Sequence, residues 1–587
     1  MFDPRIYRAA LIPAVAAFVL LMFSLEPVPK PLPSPVSTPT FDGAAAARDA
    51  RAIVALAPER APGSDGDHAV ADLVRERFAA IEGGDVSTQE LTSSFDDQDV
   101  QLQNVLLTLP GASENTILIV ANRDSAAGPG ALTSASATAT LLTLADVIGG
   151  ARHERTIVLA STDGGSDGAA GAAELADALP APGGVGAAIA ISQPGVPEPA
   201  GPFVISSGTG PESPSPQLVE TARSIAAGNL GERDRGAGAW GDLSRLAIPA
   251  GLGEQAALRR AGIEAIGISA AGERQVEASA DRPEEVSTET LSSAGTTLLD
   301  LALTLDAAER PPAEGPGDYI RLGDNLIPGW ALSLLAIALL APALLAAADT
   351  WLREQRVDPR TRRSLPWAAE RALLPLAALL LAYGLGLVGL IPAPRFPYDP
   401  ARFTPGAEAP IALVALAAAV ALTGLLVRPM RTPLSAEPHT LAAAAGLLTG
   451  IAVLGIWLLN PYLALLLVPA AHVWLLPARA AGPPRAAVIA LAATASLLPA
   501  IAAYATVAAQ LDLGAAAPWH LLLLIEDGQI GPLMCLLWCG VAGGLIACVG
   551  STGARGVVAR EATGLRGSGT HAGPGALGAT PSSLPRR

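Results

Sequence analysis

The sequence has few of the charged and aromatic residues that are common in soluble proteins. Only 16% of its 587 residues are charged and 4% are aromatic, whereas 50% are hydrophobic. This composition excludes an ordinary soluble protein of this length. The net charge of −16 leaves no excess of basic residues for a nucleic-acid-binding surface. We therefore expect a membrane protein that does not bind nucleic acid.

Cysteine and histidine are also scarce. The three cysteines, Cys535, Cys539 and Cys548, lie in one apolar stretch near the C-terminus, which excludes a disulfide framework in the rest of the chain. His68 and His153 are the two histidines between residues 27 and 325. We interpret both as surface residues, so the sequence predicts no histidine-rich metal site there.

Apolar residues are concentrated in eight stretches that are long enough to span a bilayer as helices. The eight stretches are 9–25, 327–348, 372–393, 411–427, 440–459, 461–477, 486–509 and 532–550. No small-residue cleavage pattern follows the first stretch closely, so we interpret it as a retained signal anchor. The segment 520–525 is apolar but too short to span, and we expect it to be an outer interfacial or re-entrant segment.

Arginines in the connections between these stretches predict the orientation of the chain, because basic loops stay on the cytoplasmic side. The basic connections and the tail carry Arg353, Arg356, Arg360, Arg362, Arg363, Arg371, Arg428, Arg431, Arg479, Arg485, Arg555, Arg560 and Arg566. The alternate connections carry only Arg395 and Arg402. This pattern places both termini in the cytoplasm and residues 27–325 outside it. The Ala, Gly, Pro and Arg bias with few lysines favours a bacterial plasma membrane.

Residues 45–308 have the pattern of an α/β domain. Apolar runs typical of buried strands occur at 104–109, 116–121, 156–161, 187–191, 203–206 and 265–269. Helical patterns lie between or beside them at 67–81, 134–148, 169–178, 215–227 and 287–305. The alternation predicts a mostly parallel sheet covered by helices on both faces, beside an all-α transmembrane bundle. In such sheets a binding site usually forms at the carboxyl ends of the strands.

We predict six segments in total. They are a signal anchor (1–26), a Pro-rich spacer (27–44), an extracytoplasmic α/β domain (45–308), a linker (309–326), a seven-span transmembrane region (327–550) and a disordered cytoplasmic tail (551–587).

Several short motifs in residues 45–308 occur in the order and spacing of a known family. They are Pro58–Ser64, Asn104–Gly111, Ala121–Ser125, Gly128–Ala131, Asp163–Gly164, Arg260–Ile263 and Ser279–Val286. On these motifs the sequence resembles the two-zinc aminopeptidase family, peptidase family M28. The resemblance implies an aminopeptidase-like α/β domain and a site for two zinc ions.

The resemblance also identifies the positions where that family binds zinc, and this sequence changes them. Asn122 and Gln255 take the places of histidine ligands, Thr133 that of the bridging aspartate and Ser192 that of an aspartate ligand. Gly165 takes the place of the general-base glutamate, and Ser166 that of a glutamate ligand. Asp124 keeps the family's supporting aspartate.

Hydroxyl and amide oxygens are poor zinc ligands, and Gly165 has no side chain that could accept a proton from water. We therefore expect vestigial site positions, no catalytic residue, no metal and no cofactor. Our leading hypothesis is a pseudo-peptidase whose outer domain binds a peptide or protein partner, held in the lipid bilayer by the bundle. One alternative is an active zinc aminopeptidase with differently aligned ligands. A second is a transport or lipid-handling protein.

Other acidic residues and serines could supply chemistry near the same positions. Asp163, Asp167 and Glu254 could gather around Asp124, and Asp163 and Asp167 resemble part of a calcium loop. We interpret those two as residues that cap or solvate a turn. A serine nucleophile is unsupported, because Ser161, Ser166 and Ser192 have no histidine at a matching position.

Overall fold

The computed structural model describes residues 3–35, 39–95, 98–126, 128–179, 184–230, 237–274, 276–277, 279–313, 315–398, 400, 402–427, 437–479 and 486–567. In these residues a mixed α/β domain lies against a bundle of long apolar helices. The strands are β1 (Glu26–Pro27), β2 (Asp85–Phe95), β3 (Gln98–Leu109), β4 (Gly111–Asn122), β5 (His153–Thr162), β6 (Val185–Ser192), β7 (Val204–Ile205), β8 (Ala265–Ser269), β9 (Tyr319–Leu322) and β10 (Asn325–Pro328).

The helices fall into two groups along the chain. Those up to residue 307 are α1 (Pro4–Ala10), α2 (Ile12–Phe23), α3 (Gly43–Leu56), α4 (Asp65–Ala79), α5 (Ser136–Ile148), α6 (Ala170–Ala178), α7 (Pro216–Asn229), α8 (Gly238–Ala247), α9 (Glu254–Arg260) and α10 (Thr288–Ala307). Those after it are α11 (Gly329–Val357), α12 (Ser364–Ala369), α13 (Leu373–Leu387), α14 (Glu408–Val427), α15 (Pro438–Leu459), α16 (Pro461–His472), α17 (Leu475–Arg479), α18 (Ala486–Gln510), α19 (Ala517–Glu526) and α20 (Pro532–Gly567).

The α/β domain contains a seven-stranded sheet of order β2-β3-β5-β4-β6-β8-β7. The pairs β4–β5, β4–β6 and β6–β8 are parallel, whereas β2–β3, β3–β5 and β7–β8 are antiparallel. The prediction of a mostly parallel sheet is therefore wrong in this respect, and the sheet is mixed. The reason is that β2 and β3 form a hairpin, which can only be antiparallel, and this hairpin supplies one edge of the sheet.

Helices cover both faces of the sheet, as predicted. Along β4, Ile117, Ile119 and Ala121 pack into one core with residues of α3, α5 and α10. The alternate residues Leu118 and Val120 pack into a second core with residues of α6 and α9. Side chains of a strand alternate between the two faces of a sheet, so an unbroken apolar run fits a strand that is buried on both faces.

A second, three-stranded sheet of order β1-β10-β9 joins the start of the α/β domain to its end. The predicted linker 309–326 therefore includes β9 and the start of β10. The predicted spacer 27–44 lies against the domain, where Leu32 N–H donates to Thr221 Oγ1 at 3.0 Å. Neither segment is a bare connection, because β10 pairs with β9 on one side and with β1 on the other.

Among the described residues, nine helices are long and apolar enough to cross a membrane. One of them, Ala131–Ile148, lies in the core of the α/β domain. The other eight coincide with the eight predicted stretches. By length and composition alone, these eight helices could span a membrane.

Two local features differ from what the sequence predicts. The predicted disordered tail begins at residue 551, whereas α20 continues to Gly567. Residues 568–587, and the connections with Arg428, Arg431 and Arg485, lie outside the described residues. His153 is buried at 7% exposure rather than on the surface, because Asp306 at the end of α10 pairs with its Nδ1 at 3.2 Å.

Candidate functional site

Three strands end around one cavity in the α/β domain. Asn122 ends β4, Gly165 and Ser166 follow β5, and Ser192 ends β6. These strands are mutually parallel, so their carboxyl ends meet at one edge of the sheet, where α/β proteins usually bind ligands. The cavity has a volume of about 130 Å³.

All seven positions that the sequence singles out line this cavity. They are Asn122, Asp124, Thr133, Gly165, Ser166, Ser192 and Gln255. They come from five separate parts of the chain, so their convergence supports the spacing on which the resemblance depends.

Asp124 is the hydrogen-bonding centre of one side of the cavity. The N–H of Gly165 donates to Asp124 Oδ1 at 2.7 Å. The N–H and hydroxyl of Ser166 donate to Asp124 Oδ2 at 2.9 and 2.6 Å. Burial, followed by the nearby Asp163 carboxylate, raises the pKa of Asp124, and these hydrogen bonds partly oppose that shift. The Ser166 hydroxyl therefore stabilises a carboxylate of the protein.

Asp281 plays the same part on the other side of the cavity. Leu132 N–H donates to Asp281 Oδ1 at 2.6 Å, and the Thr133 hydroxyl donates to Asp281 Oδ2 at 3.1 Å. Gln255 is buried at 3% exposure, and its Nε2 donates to the carbonyl oxygen of Leu252. The side chains of Ser166, Thr133 and Gln255 therefore donate hydrogen bonds to other groups of the protein.

Gly165 is closely packed against Asn122. A Cβ atom added to Gly165 would lie 2.4 Å from the Cβ of Asn122, which is closer than real Cβ contacts allow. A glutamate at position 165 would therefore require Asn122 to move. The two substitutions fit each other, and together they leave no room for the general base that the family carries there.

Zinc does not fit the residues of this cavity. Tetrahedral zinc requires imidazole, thiolate or carboxylate ligands. The altered positions offer two amides, three hydroxyl groups and one glycine, and the carboxylates of Asp124 and Asp281 already accept hydrogen bonds from the backbone and from Ser166 and Thr133. The donor set therefore lacks the ligands that two zinc ions need.

Within the described residues, one group of three potential metal ligands lies beside this cavity: Asp67, His68 and Asp163. Arg123 is fully buried next to it, with Nη2 at 2.7 Å from Asp67 Oδ2 and 3.3 Å from Asp163 Oδ2. A guanidinium is always charged in proteins, so it neutralises these carboxylates and repels a metal cation. This group is better explained as a buried ion-pair cluster than as a metal site.

The other acidic residues that the sequence singles out, Asp163, Asp167 and Glu254, make contacts within the protein. Asp163 Oδ1 accepts the N–H of Gly164 at 2.7 Å, as expected for a turn-capping residue, but Asp163 is fully buried rather than solvated. Asp167 forms a β-bridge with Tyr398. Glu254 is 5% exposed, and burial raises its pKa to about 7. The oxygen-ligand loop suggested by the sequence is thus used for internal contacts.

The loop after α13 forms part of the wall of the cavity. Pro397 and Tyr398 line the cavity, and Gly168 N–H donates to the carbonyl oxygen of Pro397 at 3.1 Å. Tyr398 is 2% exposed, and its hydroxyl bonds to Nδ1 of His520 in α19. We name residues 395–398 the cap loop. The cap loop contacts Gly168, which lies more than 200 residues earlier in the chain. The residues Phe396, Pro397 and Tyr398 alone do not predict this contact.

Comparison with known proteins agrees with this geometry. Residues 104–223, which include β4 to β7 and most of the cavity positions, match the model for Peptidase family M28. The α/β domain resembles peptidase family M28. None of the curated proteins matches the chain.

Several solved structures are similar to part of this chain. The glutaminyl cyclase of an Acidobacteriales bacterium is 18% identical, with a TM-score of 0.38 over 46% of this chain and 97% of its own. The Bacteroides thetaiotaomicron glutaminyl cyclase bound to N-acetylhistamine is 15% identical, with a TM-score of 0.36 over 46% and 99%. A Zn-dependent exopeptidase from Parabacteroides distasonis is 17% identical, with a TM-score of 0.35 over 45% and 98%.

Proposed function

We propose that this chain is a multi-pass membrane pseudo-peptidase whose M28-like domain binds a peptide or protein partner without catalysis. The observation that carries the proposal is the hydrogen bonding of the altered cavity. The hydroxyls of Ser166 and Thr133 donate to Asp124 and Asp281, and Gly165 packs against Asn122. A site with its polar groups paired internally is suited to stabilising a scaffold.

The proposed orientation has the M28-like domain outside the cytoplasm and both termini inside it. The bundle supports this orientation at the point where it meets the domain. Asn460, between α15 and α16, donates through Nδ2 to the carbonyl oxygens of Leu246 and Ala247 at 2.9 and 3.1 Å. The arginine-rich segment 353–363 begins in the last turn of α11 and continues beyond it. It lies at the opposite end of that helix from Gly329, whose N–H donates to the carbonyl oxygen of Asp318 in the linker at 2.7 Å.

The edge strand β2 is the surface that best fits an extended peptide. It is eleven residues long and pairs with β3 on one side. In the described part of the chain no strand pairs with its other side. An extended peptide adds to such an edge through main-chain hydrogen bonds, and β2 contains no proline that would prevent it.

Site-specific photo-crosslinking in membranes tests this proposal. A photoreactive residue at Glu90, exposed on β2, is expected to yield a discrete protein adduct. The same residue at Glu289, exposed on α10, is the matched control and is expected to yield none. Equal labelling at both positions, or no adduct at Glu90, would count against partner binding at this edge.

A further inference from the structure

A large apolar cavity lies where the helix bundle meets the M28-like domain. It has a volume of about 650 Å³ and lies between α16, α18, α19 and α20, with Ile248 and Pro249 of the domain above it. This volume is in the range of cavities that hold small organic ligands, about 300–1,000 Å³. Along α20 it extends from Pro532 to Ala542, which is about 15 Å at the helical rise.

The rim of this junction cavity has exposed apolar side chains. Leu459, Ile501 and Leu533 line the cavity and are 46%, 54% and 57% exposed. All three belong to helices that are long and apolar enough to span a membrane. In a membrane, the rim would therefore face lipid. The cavity is about 15 Å long along α20, which is about half the thickness of a hydrocarbon core of about 30 Å.

The few polar groups of the junction cavity are already bonded to the protein. Asn460 donates to two carbonyl oxygens of the domain, and the Tyr504 hydroxyl donates to the carbonyl oxygen of Ala517. Gln529 Nε2 donates to the carbonyl oxygens of Thr209 and Pro249 at 2.7 and 2.8 Å. Water needs two to four polar partners in a cavity, so these walls favour an apolar occupant.

A polar pocket of about 480 Å³ adjoins the junction cavity, and Gln529 lines both. Arg259, Arg260 and Arg395 line this second pocket together with Glu212 and Asp527. Three positive and two negative side chains leave a formal excess of one positive charge. Arg260 Nη2 donates to Gln529 Oε1 at 3.3 Å, so a guanidinium lies directly at the partition between the two cavities.

We propose that these two cavities form one binding site for a membrane phospholipid. Its acyl chains occupy the apolar junction cavity, and its phosphate lies against Arg260 and Arg395 in the polar pocket. Arginine suits this role because its planar group of donors matches phosphate oxygens. The inference rests on the membrane placement in the proposed function, but it uses neither the altered M28 positions nor the β2 edge.

Native mass spectrometry of the delipidated full-length chain tests the site. The probes are dioleoyl phosphatidylglycerol, dioleoylglycerol with the same chains but no phosphate, and inorganic phosphate. We expect tight binding of the phospholipid, weaker binding of dioleoylglycerol and none of phosphate alone. Ala500→Phe and Ala542→Phe place a ring in the junction cavity, and each is expected to weaken phospholipid binding by about tenfold or more. Ala502→Phe, on the exposed face of α18, is the matched control.

Arg260→Gln tests the headgroup pocket separately. It is expected to weaken phosphatidylglycerol binding by about tenfold, because a charge-assisted hydrogen bond to phosphate is lost. It is expected to leave dioleoylglycerol binding unchanged, and Arg310→Gln in the exposed segment after α10 is expected to change neither. Phospholipid binding that is equal in Ala500→Phe, Ala542→Phe and Ala502→Phe would overturn the proposal. So would an Arg260→Gln variant that retains the full preference for phosphatidylglycerol over dioleoylglycerol.

Discussion

The cavity at the M28 positions and the junction cavity differ in polarity and in size. The first measures about 130 Å³, is lined mainly by polar groups and has Pro397 and Tyr398 of the cap loop in its wall. The junction cavity measures about 650 Å³, is lined mainly by apolar side chains and has an exposed rim. Polar atoms of the first bond to each other, whereas the second has apolar surface that nothing in the chain fills. In the proposed account, the M28 positions serve the stability of the fold, the β2 edge binds a peptide or protein partner, and the junction binds a phospholipid.

The stability of the polar cavity depends most on Arg123. Arg123→Ala would leave the buried carboxylates of Asp67 and Asp163 without their cation, and we expect a loss of about 3–5 kcal/mol. Hydrogen exchange of β4 and β5 amides measures this loss as a lower free energy of local unfolding. The matched control is Arg75→Ala, whose partner Asp72 is exposed, with an expected loss under about 1 kcal/mol. Equal losses in the two variants would contradict a structural role for the buried cluster.

The pH dependence of stability tests the buried carboxyl behind the polar cavity. Burial raises the pKa of Glu254 from 4.5 to about 7. The folded state therefore keeps the proton between these values while the unfolded state releases it, so stability falls as pH rises from 4.5 to 7. Glu254→Gln removes this loss, and we expect it to stabilise the domain by on the order of 3 kcal/mol above pH 7.

Below pH 4.5 the same substitution is expected to have little effect, because Glu254 is then protonated in both states. Hydrogen exchange at pH 4, 6 and 8 checks the trend. Exposed Glu309→Gln, in the segment after α10, is the control and is expected to change stability little at all three values. A gain in Glu254→Gln that is constant across this range would show that burial does not shift the carboxyl.

The contact of the cap loop with the polar cavity gives the smallest expected effect. Ser192→Cys places a thiol in the cavity, and we expect it to react slowly with a small maleimide. Adding Tyr398→Ala removes a ring that lines the cavity and its bond to His520. The reaction is expected to accelerate by about tenfold, equivalent to 1.4 kcal/mol in the opening equilibrium. Ser94→Cys on exposed β2 is the control, and its reaction rate should not change when Tyr398 is replaced. If the reaction rate of Ser192→Cys is also unchanged, Tyr398 does not restrict access to the cavity.

Elements with a strong local pattern could be predicted from the sequence. Strands β4, β5 and β6 lie in consecutive apolar runs, and their burial on both faces follows from that pattern. Strand β2 could not be predicted, since Asp85–Phe95 is rich in serine, threonine and charged residues and is stabilised by pairing with β3. The mixed character of the sheet comes from the antiparallel pairs β2–β3, β3–β5 and β7–β8, and only the first of these involves the missed strand.

The seven positions singled out by their spacing line one cavity, and their role there stays a prediction. The hydrogen-bond partners of these residues could not be predicted from the sequence. Asp281 reaches Thr133 across nearly 150 residues of chain, and Tyr398 reaches the cavity from the helix bundle. His153 shows the same limit, because its burial depends on Asp306 at the end of α10. Long-range contacts of single side chains have no local pattern in the sequence.

The most direct test of the central claim is the zinc content of the full-length chain, purified in detergent, equilibrated with zinc and desalted. His68→Ala and Asp124→Ala variants distinguish zinc at the Arg123 cluster from zinc at the M28 positions. We predict no retained zinc in the unmodified chain and no release of amino acids from peptides. A contradicting result would be about two equivalents of zinc together with aminopeptidase activity, where the zinc is lost in Asp124→Ala but kept in His68→Ala. The M28 positions would then still be a metal site.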